Sequence, residues 1–368
     1  CQGAKMIERL SKTLLFLMLL ASFSVSAHHS RATFFDMSKT VELEGEITRV
    51  QWRHPHVRYW IQADAAYGGD VWEMETTPPS ILERFGINPD VISLGTRVRV
   101  AGPPSKLAEN VMEVSHVLLP DGREVLLHTG LPPRWSQDTI ERTLEELDEE
   151  AVRVAQASAN GIYRVWTRDN CDRSLPQSEC GIWRRAPFWL DSYPLTEAAR
   201  AAQADWDPVV EIDTGCTPKG MPRTMNNNWP FEFIDDGNQI RLLIEEFDIV
   251  RTFYLTEYSG EVEPTLWGHS QAAWEDGVLV VNTTNVISNY FGVPGIQLSD
   301  DVEIIERFTL SDDEKRLDYE ITLTDPVTFT EPVTQNAFWG WRPGESVKPY
   351  NCINTPNSWS DSRGLRTG

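Results

Sequence analysis

One stretch of the sequence, LLIEEFDIVR, combines acidic and basic side chains in a pattern that could move protons. Alternation along a strand lets only one of the adjacent Glu245 and Glu246 face an interior. His269, in a WGHS motif, begins the next predicted hairpin. A buried glutamate paired with Arg251 beside His269 could orient a carbonyl or hydroxyl group, as a hydrolase, isomerase or hydratase requires. The alternative is a structural salt bridge that closes one end of a barrel. Ser270 lies in GHSQA, so it does not form the nucleophile elbow G-x-S-x-G.

Tryptophan is the second chemical signal, with 14 residues in the chain. Ten of them fall after residue 160, and these include Trp166, Trp183, Trp229, Trp267, Trp274, Trp339 and Trp341. Aromatic walls suit an apolar ligand such as a steroid, a terpenoid or a lipid, and they are equally the usual filling of a β core. Trp267, Ser270 and Trp274 are the candidate ligand-binding residues. The leading hypothesis is a protein that binds an apolar small molecule, and the alternative is an enzyme in the same cavity.

The N-terminus is typical of an export signal over residues 1–27. Arg9 and Lys12 precede the apolar run LLFLMLLA, and small residues end the segment at VSA. The apolar run is too short to span a bilayer, so no stable membrane anchor is expected. We therefore predict a periplasmic or secreted protein whose mature chain begins at His28.

A histidine at a mature N-terminus can chelate copper or zinc through its amine and a ring nitrogen. His28, His29 and His56 are the candidate metal ligands, and His54 is a further one. The alternative is that the first two histidines only assist leader processing. The alternative for His54 and His56, which flank Pro55, is that one caps a turn while the other is solvated.

Charge and cysteine content limit the partners and the compartment. The formal net charge of −22 repels phosphate backbones, so we expect no nucleic-acid partner. Four cysteines follow the predicted leader: Cys171, Cys180, Cys216 and Cys352. In an oxidising compartment they predict two disulfides, with 171–180 and 216–352 as the favoured pairing.

Residues 28–130 are organised by alternation of apolar and polar side chains. Strands are predicted in TVELEGEI, HVRYWIQ and VWEME, followed by a short helix in PPSILERFG and strands in TRVRVAG and VMEVSHVLL. Three strands, a helix and two strands are the order of an OB-like barrel. This region is therefore predicted to be an OB-like β domain.

Residues 131–159 predict a helical linker. One helical stripe contains Ile140, Leu144, Leu147, Ala151 and Val154, and Asp138 with Glu141 has capping-box spacing.

Residues 160–368 then return to strands. Three hairpins, two of which turn at Asp-Gly, predict an antiparallel lipocalin-like barrel with a C-terminal tail, and the alternative is a sandwich.

Two blocks of the sequence resemble known families. AHHSRATFFDMSKT with the later W-x-x-P-H motif (Trp52, Pro55, His56) resembles exported bacterial proteins of the DUF6152 type. PTLWGHSQAAWEDGVLVVNTT is similar to a C-terminal W-x-G-x-S…W-E…L-V-V-x-T domain of unknown function in exported proteins, with Ala272 and Ala273 replacing the usual Gly-Arg. The second resemblance matches Glu245 and Arg251 to a recurring Glu and Arg. Neither resemblance implies an activity.

Overall fold

The computed structural model describes residues 29–354 except 129, 141–145, 168–189, 191, 208, 210–214, 227–228, 259 and 288–294. The fold is mainly β. The α-helices are short: α1 (His29–Phe34), α2 (Pro79–Glu83), α3 (Glu149–Ala157) and α4 (Glu197–Ala204). Among the described residues, none of the helices has the length and apolar character that crossing a bilayer requires.

The N-terminal part forms an eight-stranded sheet. Its strands are β1 (Val41–Gln51), β2 (Arg58–Ala63), β3 (Val71–Glu75), β4 (Arg97–Gly102), β5 (Val111–Glu113), β6 (His116–Leu118), β7 (Glu124–Leu126) and β8 (Thr139–Ile140). Their spatial order is β5-β3-β2-β1-β4-β6-β7-β8. The predicted succession of three strands, a helix and two strands is present. The segment VMEVSHVLL forms two short strands, β5 and β6, because Ser115 bonds to Ala101 on β4 and redirects the chain.

The helical stripe predicted from Ile140 to Val154 is wrong at Ile140, and Leu144 lies outside the described residues. Thr139 and Ile140 pair with β7 as strand β8, so the expected cap at Asp138 is not used. Helix α3 begins after Asp148, whose side chain accepts a hydrogen bond from the Ala151 amide. No residue of α3 is buried, and Val154 is 51% exposed. The helix therefore lacks the buried face that the stripe predicted.

The C-terminal part closes into a nine-stranded barrel. Its strands are β9 (Val165–Thr167), β10 (Phe231–Asp235), β11 (Gln239–Ile244), β12 (Ile249–Tyr254), β13 (His269–Glu275), β14 (Val278–Thr284), β15 (Glu303–Leu310), β16 (Arg316–Thr324) and β17 (Val333–Trp341). Neighbours pair in chain order, and β9 closes the barrel between β17 and β10. The three predicted hairpins are confirmed as β10–β11, β13–β14 and β15–β16.

One pair of barrel strands is parallel, which corrects the prediction of an entirely antiparallel barrel. Strands β12 and β13 pair only through Phe253 with Ser270 and Tyr254 with Gln271. The physical reason is the length of the connection between Tyr254 and His269, which allows β13 to start at the same end of the barrel as β12. Over most of their length β12 and β13 are not paired.

Aromatic side chains fill the interior of the barrel. Phe231 contacts Trp339 with ring centroids 4.8 Å apart, and Phe233 contacts Phe308 at 5.3 Å. Tyr319 lies between Phe308 and Trp339, at 5.0 and 5.2 Å. All five rings are almost completely buried. Much of the interior is thus a packed core rather than a ligand cavity.

A buried ion pair joins the N-terminal sheet to the barrel. Arg84, just after α2, donates two parallel hydrogen bonds to the Glu245 carboxylate, at 2.7 and 2.6 Å. Its Nε donates to Glu345 at 3.3 Å, and both Arg84 and Glu245 are almost fully buried. Bidentate geometry is the strong form of the arginine–carboxylate contact. We refer to Arg84, Glu245 and Glu345 as the interdomain clamp.

The chain after β17 crosses the same interface and forms a C-terminal strap, residues 342–354. The Tyr350 ring stacks on His54 at 3.8 Å and meets Trp229 edge-on at 5.7 Å. His54 Nε2 lies 3.0 Å from the Ser80 hydroxyl, and burial lowers the pKa of His54 to about 4, so its ring is neutral at neutral pH. Its side chain is therefore part of the interface.

A disulfide between Cys216 and Cys352 fixes the end of the C-terminal strap. The Cys216 amide also donates to the Asn354 side chain at 2.7 Å. This bond is one half of the predicted pairing. Cys171 and Cys180 lie outside the described residues.

We expect Arg84→Met to lower the free energy of unfolding by about 3–5 kcal/mol, because it leaves the Glu245 carboxylate buried without its cation. Chemical denaturation of the full chain measures this loss. The double variant Arg84→Met/Glu245→Met should recover part of it, since neither charge is then left alone. Arg97→Met is the control: Arg97 pairs with Asp64 on the surface, and its loss should cost below about 1 kcal/mol. Equal losses for Arg84→Met and Arg97→Met would contradict the clamp.

Candidate functional site

The predicted pair of Glu245 and Arg251 does not form. Strand β11 ends at Ile244, and the chain then turns through Phe247 and Asp248, which both have positive φ. Glu245 consequently leaves the barrel and binds Arg84, while Glu246 pairs with Lys219. Both glutamates are buried. They follow the end of β11, so the alternation of inward and outward side chains along that strand does not apply to them.

Arg251 instead anchors a polar network inside the barrel. Its Nη1 donates to Glu306 Oε1 at 2.9 Å and its Nη2 donates to Glu306 Oε2. The Tyr319 hydroxyl donates to Glu306 at 2.8 Å, and Arg251 Nη2 lies 3.4 Å from the Thr283 hydroxyl. Ser270 Oγ completes the network 2.8 Å from Thr283 Oγ1. All five residues are buried, so the charges of the pair are compensated away from water.

Two buried groups of this network have shifted proton affinities. Burial alone would lower the pKa of Arg251, but Glu306 more than offsets this effect and the pKa is raised. Burial raises the pKa of Tyr319 well above its ordinary value, and the adjacent Glu306 charge adds to the shift. Tyr319 therefore stays protonated and acts as a hydrogen-bond donor.

A cleft of about 280 Å³ opens where β12 and β13 are not paired. Its wall comprises three elements: the middle of β12, the connection after it and the start of β13. The lining residues are Val250, Arg251, Thr252, Tyr254, Tyr258, Glu261, Val262, Glu263, Thr265, Trp267, Gly268, His269 and Ser270. Arg251 and Ser270 belong both to this cleft and to the internal network. The cleft therefore connects the outer surface to the polar part of the barrel interior.

Stacked rings form one side of the cleft. The His269 ring stacks on Tyr254 at 5.0 Å and lies 4.9 Å from Tyr258. Tyr254 ends β12 and His269 starts β13, so the short parallel pairing brings them together. Gln271 supports that pairing by donating to the Tyr254 carbonyl at 2.7 Å.

Gly268 sets the position of His269. Its φ is +67°, and a Cβ atom there would lie 2.4 Å from the Thr284 carbonyl oxygen. Only glycine allows the backbone to approach β14 this closely before β13 begins. Trp267, the residue before Gly268, donates a hydrogen bond from Nε1 to the Lys219 carbonyl at 3.1 Å. This hydrogen bond holds the Trp267 ring at the cleft.

Four of the predicted site residues, Arg251, Trp267, His269 and Ser270, thus line one cleft. Two predicted residues lie elsewhere: Glu245 in the interdomain clamp, and Trp274 on the barrel surface, 43% exposed and near Tyr163. Sequence reasoning missed Glu306, Thr283 and Tyr319. A signal for Glu306 was present, because it alternates with Ile304 and Phe308 on the inward face of β15.

The predicted metal ligands are only partly described. His28 and the side chain of His29 lie outside the described residues. His56 is half-exposed, with Nδ1 at 2.9 Å from the Thr76 carbonyl and 3.5 Å from Glu75 Oε1. Within the described part of the chain, no three His, Cys, Asp or Glu side chains converge closely enough to hold a metal ion.

Helix α1 brings the start of the described chain towards His56. Arg31, in α1, pairs with Glu113 on β5, and Glu113 is opposite Glu75 in the β3–β5 register. Burial raises the pKa of Glu113, while Arg31 opposes the rise. Glu75 in turn contacts His56, so the segment around Arg31 and His56 are anchored to adjacent strands.

Comparison with known proteins identifies the N-terminal part. The model of DUF6152, a family of unknown function, matches residues 17–111, about a quarter of the chain. This region is therefore of the DUF6152 type, as its histidine block and W-x-x-P-H motif indicated. No curated protein and no solved structure matches the chain. The resemblance of the C-terminal block to a second family stays a prediction.

We expect Glu306→Gln to lower the free energy of unfolding by about 3–5 kcal/mol, because Arg251 would remain charged in the barrel without its partner. Glu303→Gln is the matched control on the same strand: Glu303 is exposed, and its replacement should change stability by less than about 0.5 kcal/mol. Thermal or chemical unfolding distinguishes the two. A cost for Glu306→Gln no larger than the control would show that the buried pair does not hold the barrel.

Proposed function

We propose that this is an exported protein whose C-terminal barrel binds a small molecule in the cleft between β12 and β13. The observation that carries the proposal is the convergence of Arg251, Trp267, His269 and Ser270, chosen from sequence alone, on one cleft. Aromatic rings and fixed polar groups line this cleft together, and fixed polar groups give ligand sites their orientation and specificity. The volume of about 280 Å³ suits a small ligand.

The expected ligand was apolar, such as a steroid, terpenoid or lipid, held inside a lipocalin-like barrel. Two observations favour a polar ligand at the cleft instead. Rings of Phe231, Phe308 and Trp339 occupy the interior, and the cleft is lined by two carboxylates, hydroxyl groups and an imidazole. The likeness to lipocalins is limited to closure of the sheet, since those barrels are entirely up-and-down and β12–β13 is parallel.

An enzyme in the same cleft is the alternative, and its support is weaker. His269 could transfer a proton there, but Glu245, its expected partner, is bound by Arg84. Ser270 donates to or accepts from Thr283 within the internal network. The proton-transfer set would therefore have to be His269 with one of the rim carboxylates, Glu261 or Glu263.

For the N-terminal sheet, we infer an OB-like plan. Parallel pairing of β3 with β5 and antiparallel pairing of β1 with β2 and β4 support it. The bridge between Pro104 and Met112 brings the end of β4 towards β5, as closure of a barrel requires. The acidic charge of the whole chain argues against the oligonucleotide ligands of many OB-folds.

Calorimetric titration with cholate, palmitate, choline and glucose tests the cleft. We expect saturable binding of at least one polar probe. Trp267→Ala should weaken that binding because Trp267 lines the cleft, whereas Trp274→Ala, seven residues further along the chain and outside the cleft, should not. Equal effects of the two variants, or binding confined to cholate and palmitate, would contradict the proposed location.

Copper binding at the N-terminus is a second candidate function, supported by the geometry of His56. Nδ1 of its ring is positioned to donate to the Thr76 carbonyl, which is how metal-binding histidines are commonly oriented for coordination through Nε2. His28 and His29 would supply the remaining ligands, with copper or zinc as the metal.

The copper hypothesis predicts that the folded protein binds Cu(II) more tightly than a peptide of residues 28–36. His56→Ala should reduce the affinity of the protein to that of the peptide, and His116→Ala, on β6, should leave it unchanged. Because the ligands must be deprotonated, acidification should weaken binding. Equal affinities of the intact protein and the peptide in a competition titration would remove His56 from the site.

A further inference from the structure

The charge of the cleft is negative at its rim. Glu261 and Glu263 are both exposed, alternate with Val262 and line the same cleft. Neither carboxylate forms an ion pair with another residue of the described chain. The guanidinium group of Arg251 also lines the cleft, but its charge is compensated by the bidentate contact with Glu306. The two rim carboxylates therefore dominate the local field.

The aromatic wall presents ring faces beside these carboxylates. His269 stacks on Tyr254, and the Tyr258 ring is tilted against both, with centroid distances of 4.9–5.0 Å. Tyr258 packs against Gly260, where a Cβ atom would lie 2.5 Å from the tyrosine hydroxyl oxygen. Tyr258 as a whole residue is nevertheless 43% exposed. The faces of aromatic rings are electron-rich and attract cations.

From these two features we propose that the cleft between β12 and β13 recognises a small organic cation. The cationic group would lie against the aromatic wall next to Glu261 and Glu263. This inference rests on the proposed function and specifies its ligand class.

Three probes of nearly the same shape but different charge test the inference. Choline is the cation, 3,3-dimethylbutan-1-ol its uncharged analogue and 3,3-dimethylbutanoate the anion. Titrations of the full-length mature protein are followed by calorimetry at pH 8, where free imidazole is uncharged. We expect choline to bind at least roughly tenfold more tightly than the alcohol, and the anion to bind weakest.

Variants of the two rim glutamates test whether the affinity for choline depends on charge or on shape. Glu261→Gln/Glu263→Gln should weaken choline binding by roughly tenfold without changing the affinity for the alcohol. Glu257→Gln is the control, because Glu257 is exposed in the same connection but does not line the cleft. Circular dichroism and thermal unfolding establish that each variant is folded.

The outcomes distinguish the two proposals. Binding of the alcohol as tight as that of choline would overturn the cation inference and leave small-molecule binding in place. A saturable response to glucose that Trp267→Ala abolishes, with no response to choline, would likewise overturn the cation inference and leave small-molecule binding in place. Failure of every probe to bind would overturn both proposals.

Discussion

Packing inside the C-terminal barrel is the constraint on which the rest of this protein depends. Phe231, Phe308 and Trp339 occupy space that larger or emptier barrels leave to a ligand. The charges of Arg251 and Glu306 are accommodated in that core only because they satisfy each other and Tyr319. The gap between β12 and β13 borders the polar part of this core at Arg251 and Ser270, and the candidate site lies in this gap.

The interdomain clamp also buries opposite charges that compensate each other. Arg84 and Glu245 are buried together, and the C-terminal strap contacts the pair through the Lys348 amide, which donates to Glu245. The Tyr350 ring of the strap contacts both parts of the chain. The disulfide at Cys352 holds the strap in place. A carboxylate that the sequence suggests for catalysis therefore has a structural role, which leaves the cleft with His269 and its rim glutamates.

The sequence predicts local features of this fold well and distant contacts poorly. Asp-Gly turns and alternation identify hairpins such as β10–β11 and β13–β14, because both signals lie within a few residues. The parallel pairing at Tyr254 depends on the path of the connection between β12 and β13. That connection has no turn signature in its sequence, so the pairing was not predicted. Glu245 is misplaced because β11 ends one residue before it, and its partner Arg84 is 161 residues away. No local pattern reports that contact.

A crystal structure of the mature protein soaked with choline tests the central claim most directly. The account predicts density for the trimethylammonium group against Tyr254 and Tyr258, within contact of Glu261 or Glu263, and an interior still filled by Phe231 and Trp339. Density between the rings of the barrel interior would contradict it. A cleft that remains empty at saturating choline would contradict it as well.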